Sequence, residues 1–269
     1  MSNEPLYDCA IVGGGLAGLS AAILLAEENY RVVLFETEMY PFHKVCGEYI
    51  SEESRPFLER LGVPLNDLDL PRISKLVVSA PNGRILEQEL SPGGFGISRF
   101  TLDEMLCNIA IKKGVTVLQN CKVNEVSYSD ELFGITTTQG TYTSKSCCGS
   151  FGKRSNLDVK WKRPFSQQPA RKLNQFVGVK YHIRANFPPD TIALHNFPDG
   201  YCGISKIEND RYCHCYLTHA GNLAKSEQQI AAMEKNILSL NPHLKKIIEN
   251  AVHLYPEPIT IAQVSFLNK

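Results

Sequence analysis

The sequence predicts an α/β protein in which a β-α-β crossover begins a parallel sheet and a mainly antiparallel sheet follows. Residues 6–12 form a near-continuous apolar run, which is typical of a strand buried on both faces. Apolar residues then recur at helical spacing to about residue 29, and a second apolar run occupies 31–36. The two runs and the intervening helix predict a right-handed crossover.

The composition indicates a globular protein with sizeable cores. The chain has 269 residues, of which 43% are hydrophobic, and this length suits about two domains. It carries 28 basic and 28 acidic residues, and this balance argues against general nucleic-acid binding, which needs clustered cations. Residues 9–26 are uncharged, but three consecutive glycines within them favour a strand, a turn and a helix over a transmembrane segment.

The cysteines and histidines predict neither disulfides nor a metal site. Nine cysteines lie along the chain without a framework spacing, which indicates free thiols in a reducing cytoplasm. Cys213 and Cys215 flank His214, but on a strand the two cysteines share one face and the histidine lies on the other. The remaining histidines are predicted to be surface or strand residues.

The first strand is followed by the motif Gly13-x-Gly15-x-x-Gly18, in which each glycine has a mechanical role. Gly13 permits a sharp turn, Gly15 lets a pyrophosphate approach the backbone, and Gly18 lets the helix pack close to the strand. The motif lies between a predicted strand and a predicted helix. This context predicts a dinucleotide-binding loop.

The start of the first helix and the end of the second strand complete this predicted site. The backbone N–H groups around Leu16 and Ala17 lie at a helix N-terminus, where the dipole favours phosphate. Glu36 closes the second strand, 18 residues beyond Gly18, and its carboxylate can accept hydrogen bonds from ribose hydroxyls.

The next segments predict a hairpin and a helix. Runs at 74–80 and 84–90 are joined by Asn82-Gly83, a dipeptide that favours a tight turn, and residues 91–96 are predicted to be a Gly/Pro-rich link. Thr101 and Glu104 have the spacing of a capping box and predict the start of a helix that ends at Gly114.

The rest of the chain predicts one more parallel strand, a small meander and a second sheet with two helices. The strand is predicted at 115–118 and the meander at 122–143. The later elements are predicted as strands at 176–183, 192–197, 203–207 and 212–218, helices at 226–238 and 242–250, and a final strand at 259–267.

Four motifs together resemble a known family. They are the glycine fingerprint with Glu36, the segment His43-Lys44-Val45-Cys46-Gly47-Glu48, the segment Ser98-Arg99-Phe100-Thr101-Leu102-Asp103, and the glycine-containing segment 149–155. With these motifs the sequence resembles the FAD-dependent oxidoreductases of the p-hydroxybenzoate hydroxylase fold, in the branch that contains the geranylgeranyl reductases.

The resemblance implies FAD as the cofactor and further site residues. Arg99 would place a cation near the phosphate and ribityl portion of FAD, and the backbone around Val123 would pair with the adenine. Cys46 and Gly47 would lie near the isoalloxazine ring, and Cys46 would contact substrate or take part in catalysis. Tyr201 could pack on a substrate, although an interior aromatic is the favoured interpretation.

The resemblance also implies a domain organisation. A Rossmann-like FAD-binding domain of the glutathione-reductase type is expected at 1–73 and 97–160. A mainly antiparallel substrate domain is expected at 74–96 and 161–269. In the family the chain continues into a Gly-Asp motif and a helix, whereas this sequence stops at Lys269. The chain is therefore expected to be incomplete at its C-terminus, as a truncated product, a fragment or a diverged binder.

The function implied is that of a cytoplasmic FAD-dependent oxidoreductase that acts on a small apolar or aromatic substrate, with NAD(P)H as a possible electron donor. Reduction of a double bond in an isoprenoid-like substrate is favoured. The alternatives are a monooxygenase of an aromatic or polyketide-like compound and an inactive nucleotide-binding protein. Peripheral contact with a membrane is compatible with the sequence, which carries no signal for an oligomeric state.

Overall fold

A computed structural model of the chain describes residues 5–152, 155–167 and 176–264. The chain divides into two compact units. The first unit comprises Met1–Phe42, Phe57–Val63 and Phe100–Gln167. The second unit comprises His43–Pro56, Pro64–Arg99 and Gln168–Lys269.

The strands and helices follow the predicted order for most of the chain. In chain order the strands are β1 (Tyr7–Val12), β2 (Val32–Phe35), β3 (Tyr49–Ser51), β4 (Arg72–Ser79), β5 (Ile85–Gly96), β6 (Thr116–Leu118), β7 (Val123–Ser129), β8 (Leu132–Thr137), β9 (Thr141–Gly149), β10 (Phe176–Arg184), β11 (Thr191–Phe197), β12 (Gly200–Ile207), β13 (Arg211–His219), β14 (Val252–His253) and β15 (Ile259–Val264). The α-helices are α1 (Leu16–Glu27), α2 (Arg55–Arg60), α3 (Arg99–Lys112), α4 (Asn156–Lys160), α5 (Ala220–Lys225), α6 (Ile230–Asn236) and α7 (Pro242–Asn250).

The first unit contains the predicted crossover in a six-stranded sheet. The strand order is β6-β2-β1-β9-β8-β7, and β6, β2, β1 and β9 are parallel. Helix α1 connects β1 to β2, and every residue of β2 is buried. The predicted meander is formed by β7, β8 and β9, and its last strand pairs with β1, so that the end of β9 lies beside the loop that follows β1.

The second unit contains a larger sheet with helices on one face. Its strand order is β14-β10-β13-β12-β11-β4-β5-β3, with β15 paired to β10. The pairing is antiparallel except between β4 and β11. Alternate residues of β10 and β11, such as Val179 and Ala193, pack with Met233 and Leu244 of the helices in one apolar core. The opposite face of the same strands carries polar side chains, which are described below.

The units differ in their bounds from the predicted domains. Residues 43–56, 64–73 and 97–99 were expected in the first domain but belong to the second unit. The reason is strand pairing, because β3 pairs with β5, and β4 begins at Arg72 rather than at 74. Residues 161–167 belong to the first unit, in which Trp161 packs near Phe151, with ring centroids 6.1 Å apart.

The segment 91–96 is a strand, so the predicted link was wrong. Strand β5 extends to Gly96, and Gly94 pairs with β3 on one side and β4 on the other. A Cβ at Gly94 would overlap the carbonyl oxygen of Ile50, and one at Gly96 would overlap that of Lys206. Gly94 and Gly96 are needed because the backbone at Ile50 and at Lys206 approaches them closely. Glycine is also common in turns, so the sequence alone does not distinguish the two uses.

Two helix predictions also need correction. Helix α3 begins at Arg99, so Thr101 lies within its first turn and the predicted capping box is not its start. Of the helix predicted at 226–238, only Ile230–Asn236 (α6) is an α-helix, because Glu227 and Gln228 adopt positive φ values of 52° and 61° that are incompatible with a helix. Helix α5 lies before the predicted start, at Ala220–Lys225. The helix predicted at 242–250 has those bounds.

The final strand is described to Val264, and the remainder of the run predicted at 259–267 lies outside the described residues. Among the described residues, no helix is long and apolar enough to cross a lipid bilayer.

Candidate functional site

The path from β1 into α1 requires glycine at two positions, Gly13 in the connecting loop and Gly18 in the first turn of the helix. Gly13 has a φ of 107°, and a Cβ there would lie 2.6 Å from the carbonyl oxygen of Ser150. A Cβ at Gly18 would overlap the carbonyl oxygen of Gly13. Because a larger residue at either position would push backbone segments apart, these two glycines set the tight path of the chain from strand to helix.

Gly15 differs from its neighbours because the space in front of it is open. A Cβ placed on Gly15 would have no atom within 4 Å, and its backbone has φ −80° and ψ −175°. No side chain caps the N-terminus of α1, and no acidic residue lies in its first turn. Leu16 is half-buried and Ala17 is exposed. This uncapped helix end, with its positive dipole and open approach, fits a diphosphate group.

Glu36 lies at the end of β2 and holds the glycine loop. One carboxylate oxygen, Oε2, accepts a hydrogen bond from Gly14 N at 3.0 Å. The other, Oε1, accepts hydrogen bonds from Thr37 Oγ1 at 2.9 Å and Glu38 N at 3.1 Å. A carboxylate offers about four acceptor positions, so one position remains for a ligand hydroxyl. The support that Glu36 gives to the loop was not anticipated from the sequence.

Tyr40 is a second support of this loop that sequence reasoning missed. Its hydroxyl donates a hydrogen bond to the carbonyl oxygen of Gly14, and its backbone N–H donates to Gln119 Oε1 at 2.8 Å. Residues 37–49 lack a regular apolar pattern, so nothing in the sequence connects Tyr40 with the loop.

The second glycine motif lies directly beside the first. Ser150 Oγ donates to the carbonyl oxygen of Gly13 at 2.6 Å, and Ser150 N donates to that of Val12 at 2.8 Å. Val123, predicted to pair with adenine, begins β7 and has a buried side chain, and this role stays a prediction. Two further residues of the motif, Lys153 and Arg154, lie outside the described residues.

In the second unit, the segment that contains Cys46 and Gly47 is held by Glu48. The Cys46 thiol is half-buried, and its Sγ accepts a hydrogen bond from Glu48 N at 3.5 Å. A Cβ on Gly47 would meet nothing within 4 Å, so the backbone there is open to close approach. The backbone N–H of Arg99 donates to Glu48 Oε1 at 2.8 Å. Arg99 thus contacts the Glu48 carboxylate through its backbone, Cys46 contacts the backbone N–H of Glu48, and Gly47 directly precedes Glu48 in the chain.

Glu48 belongs to a buried charged cluster with two residues of β10. Lys180 Nζ donates to Glu48 Oε1 and, at 3.0 Å, to the carbonyl oxygen of Lys44. His182 Nε2 lies 2.6 Å from Glu48 Oε2, and the side chains of all three cluster residues are fully buried. Burial opposes ionisation of Glu48, but the hydrogen bond from His182 and the charge of Lys180 outweigh it and lower the pKa of Glu48.

This cluster is better described as an ion pair than as a metal centre. Ligand atoms of Glu48, His182 and Cys213 lie within 4.8 Å of one another. The ammonium group of Lys180 already neutralises Glu48, and it would repel a cation placed there. Cys213 Sγ donates instead to the carbonyl oxygen of Cys46 at 3.2 Å. The cluster thus anchors the 44–48 segment to the sheet.

A sequence signal for the cluster exists in β10. In Val-Lys-Tyr-His-Ile, Lys180 and His182 alternate with apolar residues in an otherwise buried strand, and alternation places them on one face. On the paired strand, Cys213 and Cys215 face these two residues. His214 stacks with Tyr181 on the other face, with centroids 6.1 Å apart, as the alternation predicted.

Tyr201 does not have the interior position that the sequence favoured. Its side chain is 45% exposed, whereas the next residue on β12, Cys202, is fully buried. The alternation of the strand places Tyr201 on the same face as Gly203 and Ser205, away from the helices.

The fold and the glycine loop define a Rossmann-like α/β class with an additional, mainly antiparallel sheet. Residues 11–44 match the family model described as an NAD(P)-binding Rossmann-like domain. Among solved structures, the flavin-dependent halogenase CmlS superimposes with a TM-score of 0.78 at 19% identity, covering 96% of this chain and 50% of the CmlS chain. The halogenase PltM, solved with phloroglucinol and FAD, gives 0.76 at 15% identity, covering 94% and 59% of the two chains.

Curated relatives match part of the chain. LodB of Marinomonas mediterranea, whose name describes an FAD-dependent oxidoreductase, is 28% identical over 189 residues, or 66% of this chain and 50% of LodB. A menaquinone reductase of Mycobacterium tuberculosis is 26% identical over 147 residues, or 52% of this chain and 36% of the reductase. The matched region thus spans half or less of the length of these relatives.

Proposed function

We propose that the protein is an FAD-dependent oxidoreductase. The observation that carries this proposal is the uncapped N-terminus of α1, which opens onto free space at Gly15 while Glu36 keeps an acceptor position beside the same loop. The names of LodB and the halogenases, which describe FAD- or flavin-dependent proteins, support FAD as the dinucleotide.

Residues of the first unit would hold the adenosine diphosphate part of FAD. The backbone N–H groups of Leu16 and Ala17 would donate to the diphosphate, and the open backbone of Gly15 would let it approach. Glu36 would accept a hydrogen bond from a ribose hydroxyl, and the backbone around Val123 would pair with the adenine. When bound, FAD supplies hydride or electron transfer.

Residues of the second unit are proposed for the flavin and substrate. By the family resemblance, Arg99 would interact with the phosphate and ribityl portion, and Gly47 would permit close approach of the ring. Cys46 would contact substrate or take part in catalysis. Tyr201 is proposed as a substrate contact, because its ring is exposed on a sheet face that also presents the small residue Gly203.

Two reactions are candidates on a small apolar or aromatic substrate. Reduction of a double bond in an isoprenoid-like compound, with NAD(P)H as electron donor, is favoured by the geranylgeranyl reductase resemblance and the menaquinone reductase relative. Oxygen-dependent chemistry on an aromatic compound is favoured by the fold shared with the halogenases. We propose the cytoplasm as the location for either reaction.

The proposed function is tested with the FAD-loaded chain. The flavin is reduced photochemically without oxygen, and the sample is mixed with a short-chain menaquinone or, with oxygen admitted, with phloroglucinol. Mass spectrometry is expected to find two added hydrogen atoms in the isoprenoid chain of menaquinone. A modified phloroglucinol that forms only with oxygen would instead favour the second reaction. Free reduced FAD is the control, and a chain that retains no FAD would overturn the proposal.

A further inference from the structure

The second unit contains a cavity that the proposed function does not use. Its volume is about 760 Å³, and it is lined by β4, β5, the 185–191 segment, β11 and α7. His195 lines it from β11 and lies on the same sheet face as Ala193 and Phe197, which belong to the apolar core beneath the helices. The Glu48 cluster lies on the opposite face of the sheet. A volume of this size falls within the range of about 300–1,000 Å³ typical of small-molecule sites.

A hydrogen-bond chain determines which nitrogen of His195 carries a proton. Asn241 Oδ1 accepts from His243 N at 2.9 Å, so its Nδ2 must donate, and it donates to Ser79 Oγ at 2.7 Å. The Ser79 hydroxyl therefore has its own proton available for His195 Nδ1, 2.8 Å away. A neutral imidazole that accepts at Nδ1 carries its proton on Nε2.

The Nε2–H of His195 has no hydrogen-bond partner among the described residues, and the side chain is only 3% exposed. Burial, with a smaller contribution from neighbouring His243, lowers the pKa of His195 to about 4, so the ring is neutral near pH 7. The His243 ring stacks against it, with centroids 5.6 Å apart and planes 10° apart. An unsatisfied buried donor is costly, and a ligand acceptor would remove that cost. Because Nε2 itself has almost no accessible surface, the side chains beside it must shift for the acceptor to reach it.

The remaining lining favours an uncharged ligand with an apolar body. Leu76, Val77, Phe187 and Ile247 supply apolar surface. Lys75 is paired with Asp190 at 3.0 Å, and the other charged lining residues, Glu87, Glu89 and Lys246, are exposed, so their charges are screened by solvent. The neutral His195 adds no charge to the cavity wall.

We propose that this cavity binds a small uncharged molecule that packs an apolar ring system on its aliphatic and aromatic wall and presents one oxygen acceptor to Nε2–H of His195. None of the lining residues belongs to the dinucleotide loop, and the proposal does not depend on the proposed function. A ketone on an aromatic body is the simplest ligand of this class.

The test uses prodan, a neutral naphthalene with a single ketone whose emission changes on transfer from water to an apolar site. The full chain is titrated by calorimetry with prodan and with an analogue in which a propyl group replaces the propionyl group, because the analogue lacks the ketone on which the emission change depends. We expect His195→Phe to weaken prodan binding about tenfold and to leave binding of the analogue unchanged. In wild-type protein labelled with ¹⁵N-histidine, prodan should shift the Nε2–H resonance of His195.

His214→Phe is the matched control, because His214 is also buried, its Nε2 has no partner in the described part of the chain, and it does not line the cavity. It should leave prodan binding unchanged. If His195→Phe does not fold, Ile247→Trp fills the cavity from α7 and should abolish binding. Equal affinity of wild type and His195→Phe, an unshifted His195 resonance at saturation, or a crystal structure with only water at Nε2 would overturn the proposal.

Discussion

At the scale of single residues, Gly15 tests the dinucleotide loop with the least disturbance of the fold. Gly15→Val should lower the melting temperature of the ligand-free chain only slightly, because the backbone conformation suits a side chain and the Cβ meets no atom within 4 Å, while valine caps the helix less well than glycine. FAD affinity should fall at least 100-fold, because the side chain occupies the space of the diphosphate. Calorimetry with and without FAD measures both effects, and wild-type affinity in the variant would contradict the assignment.

The buried pair of Glu48 and Lys180 gives a second prediction at this scale. Glu48→Gln should lower the free energy of unfolding by about 3–5 kcal/mol, because it leaves a buried ammonium group without its counter-charge. Adding Lys180→Met should restore part of that loss. Urea denaturation of both single variants and the double variant measures the coupling. Glu249→Gln, in an exposed pair with Lys245, is the control and should change little. A double variant no more stable than the sum of its parts would contradict the coupling.

The same pair makes stability dependent on pH. The folded-state pKa of Glu48 is lowered from a reference value of 4.5, so the stabilisation is present above pH 4.5 and is lost as pH falls through the folded-state pKa. The difference in unfolding free energy between wild type and Glu48→Gln should therefore shrink below about pH 4.5. A difference that is constant from pH 7 to pH 3 would contradict this linkage.

The sequence predicted the glycine loop but not the Glu48 cluster, for a physical reason. Local backbone geometry requires glycine at positions 13 and 18, and this requirement is visible in the sequence as a motif with fixed spacing. Glu48 meets Lys180 and His182 across 132 and 134 residues, and no local rule connects positions so far apart. The alternation of Lys180 and His182 with apolar residues in β10 was the one local sign that polar side chains are buried there.

At the scale of elements, most strands and helices with a clear apolar period were predicted close to their observed bounds. The exceptions are the helix predicted at 226–238 and the glycine-containing segment 91–96. The observed bounds of helix α7 agree with the predicted ones, because Asn241 caps the helix and Pro242 occupies its first position. Strand β5 was cut short in the prediction because close backbone approach and chain reversal both select glycine. Whether a glycine serves close approach or chain reversal depends on which strands pack beside it, and this is determined by the tertiary fold.

Strand β5 provides a prediction with a matched control. Gly96→Ala should destabilise the protein by about 2 kcal/mol or more, because its Cβ would overlap the carbonyl oxygen of Lys206. Gly203→Ala, in the same sheet, should cost less than about 1 kcal/mol, since its Cβ would lie 3.6 Å from the nearest atom. Chemical denaturation compares the two variants. Equal losses would show that close approach at Gly96 is not the reason for glycine there.

At the scale of the whole molecule, the α/β class with a second, mainly antiparallel sheet was predicted correctly. The apolar runs around the first crossover predicted the α/β class. The alternating runs after Trp161 predicted the second sheet, and both sheets are present in the structure. The predicted boundaries differed because residues 43–56 have little local pattern and join their unit through β3, a strand of only three residues.

The central claim is that the loop between β1 and α1 binds the adenosine diphosphate part of FAD. The most direct measurement is an equilibrium titration of the full chain with FAD, FMN and ADP. FAD should bind, ADP should compete with it, and FMN should bind far more weakly because it lacks the adenosine diphosphate. Equal binding of FMN and FAD, or FAD binding that ADP does not affect, would contradict the account.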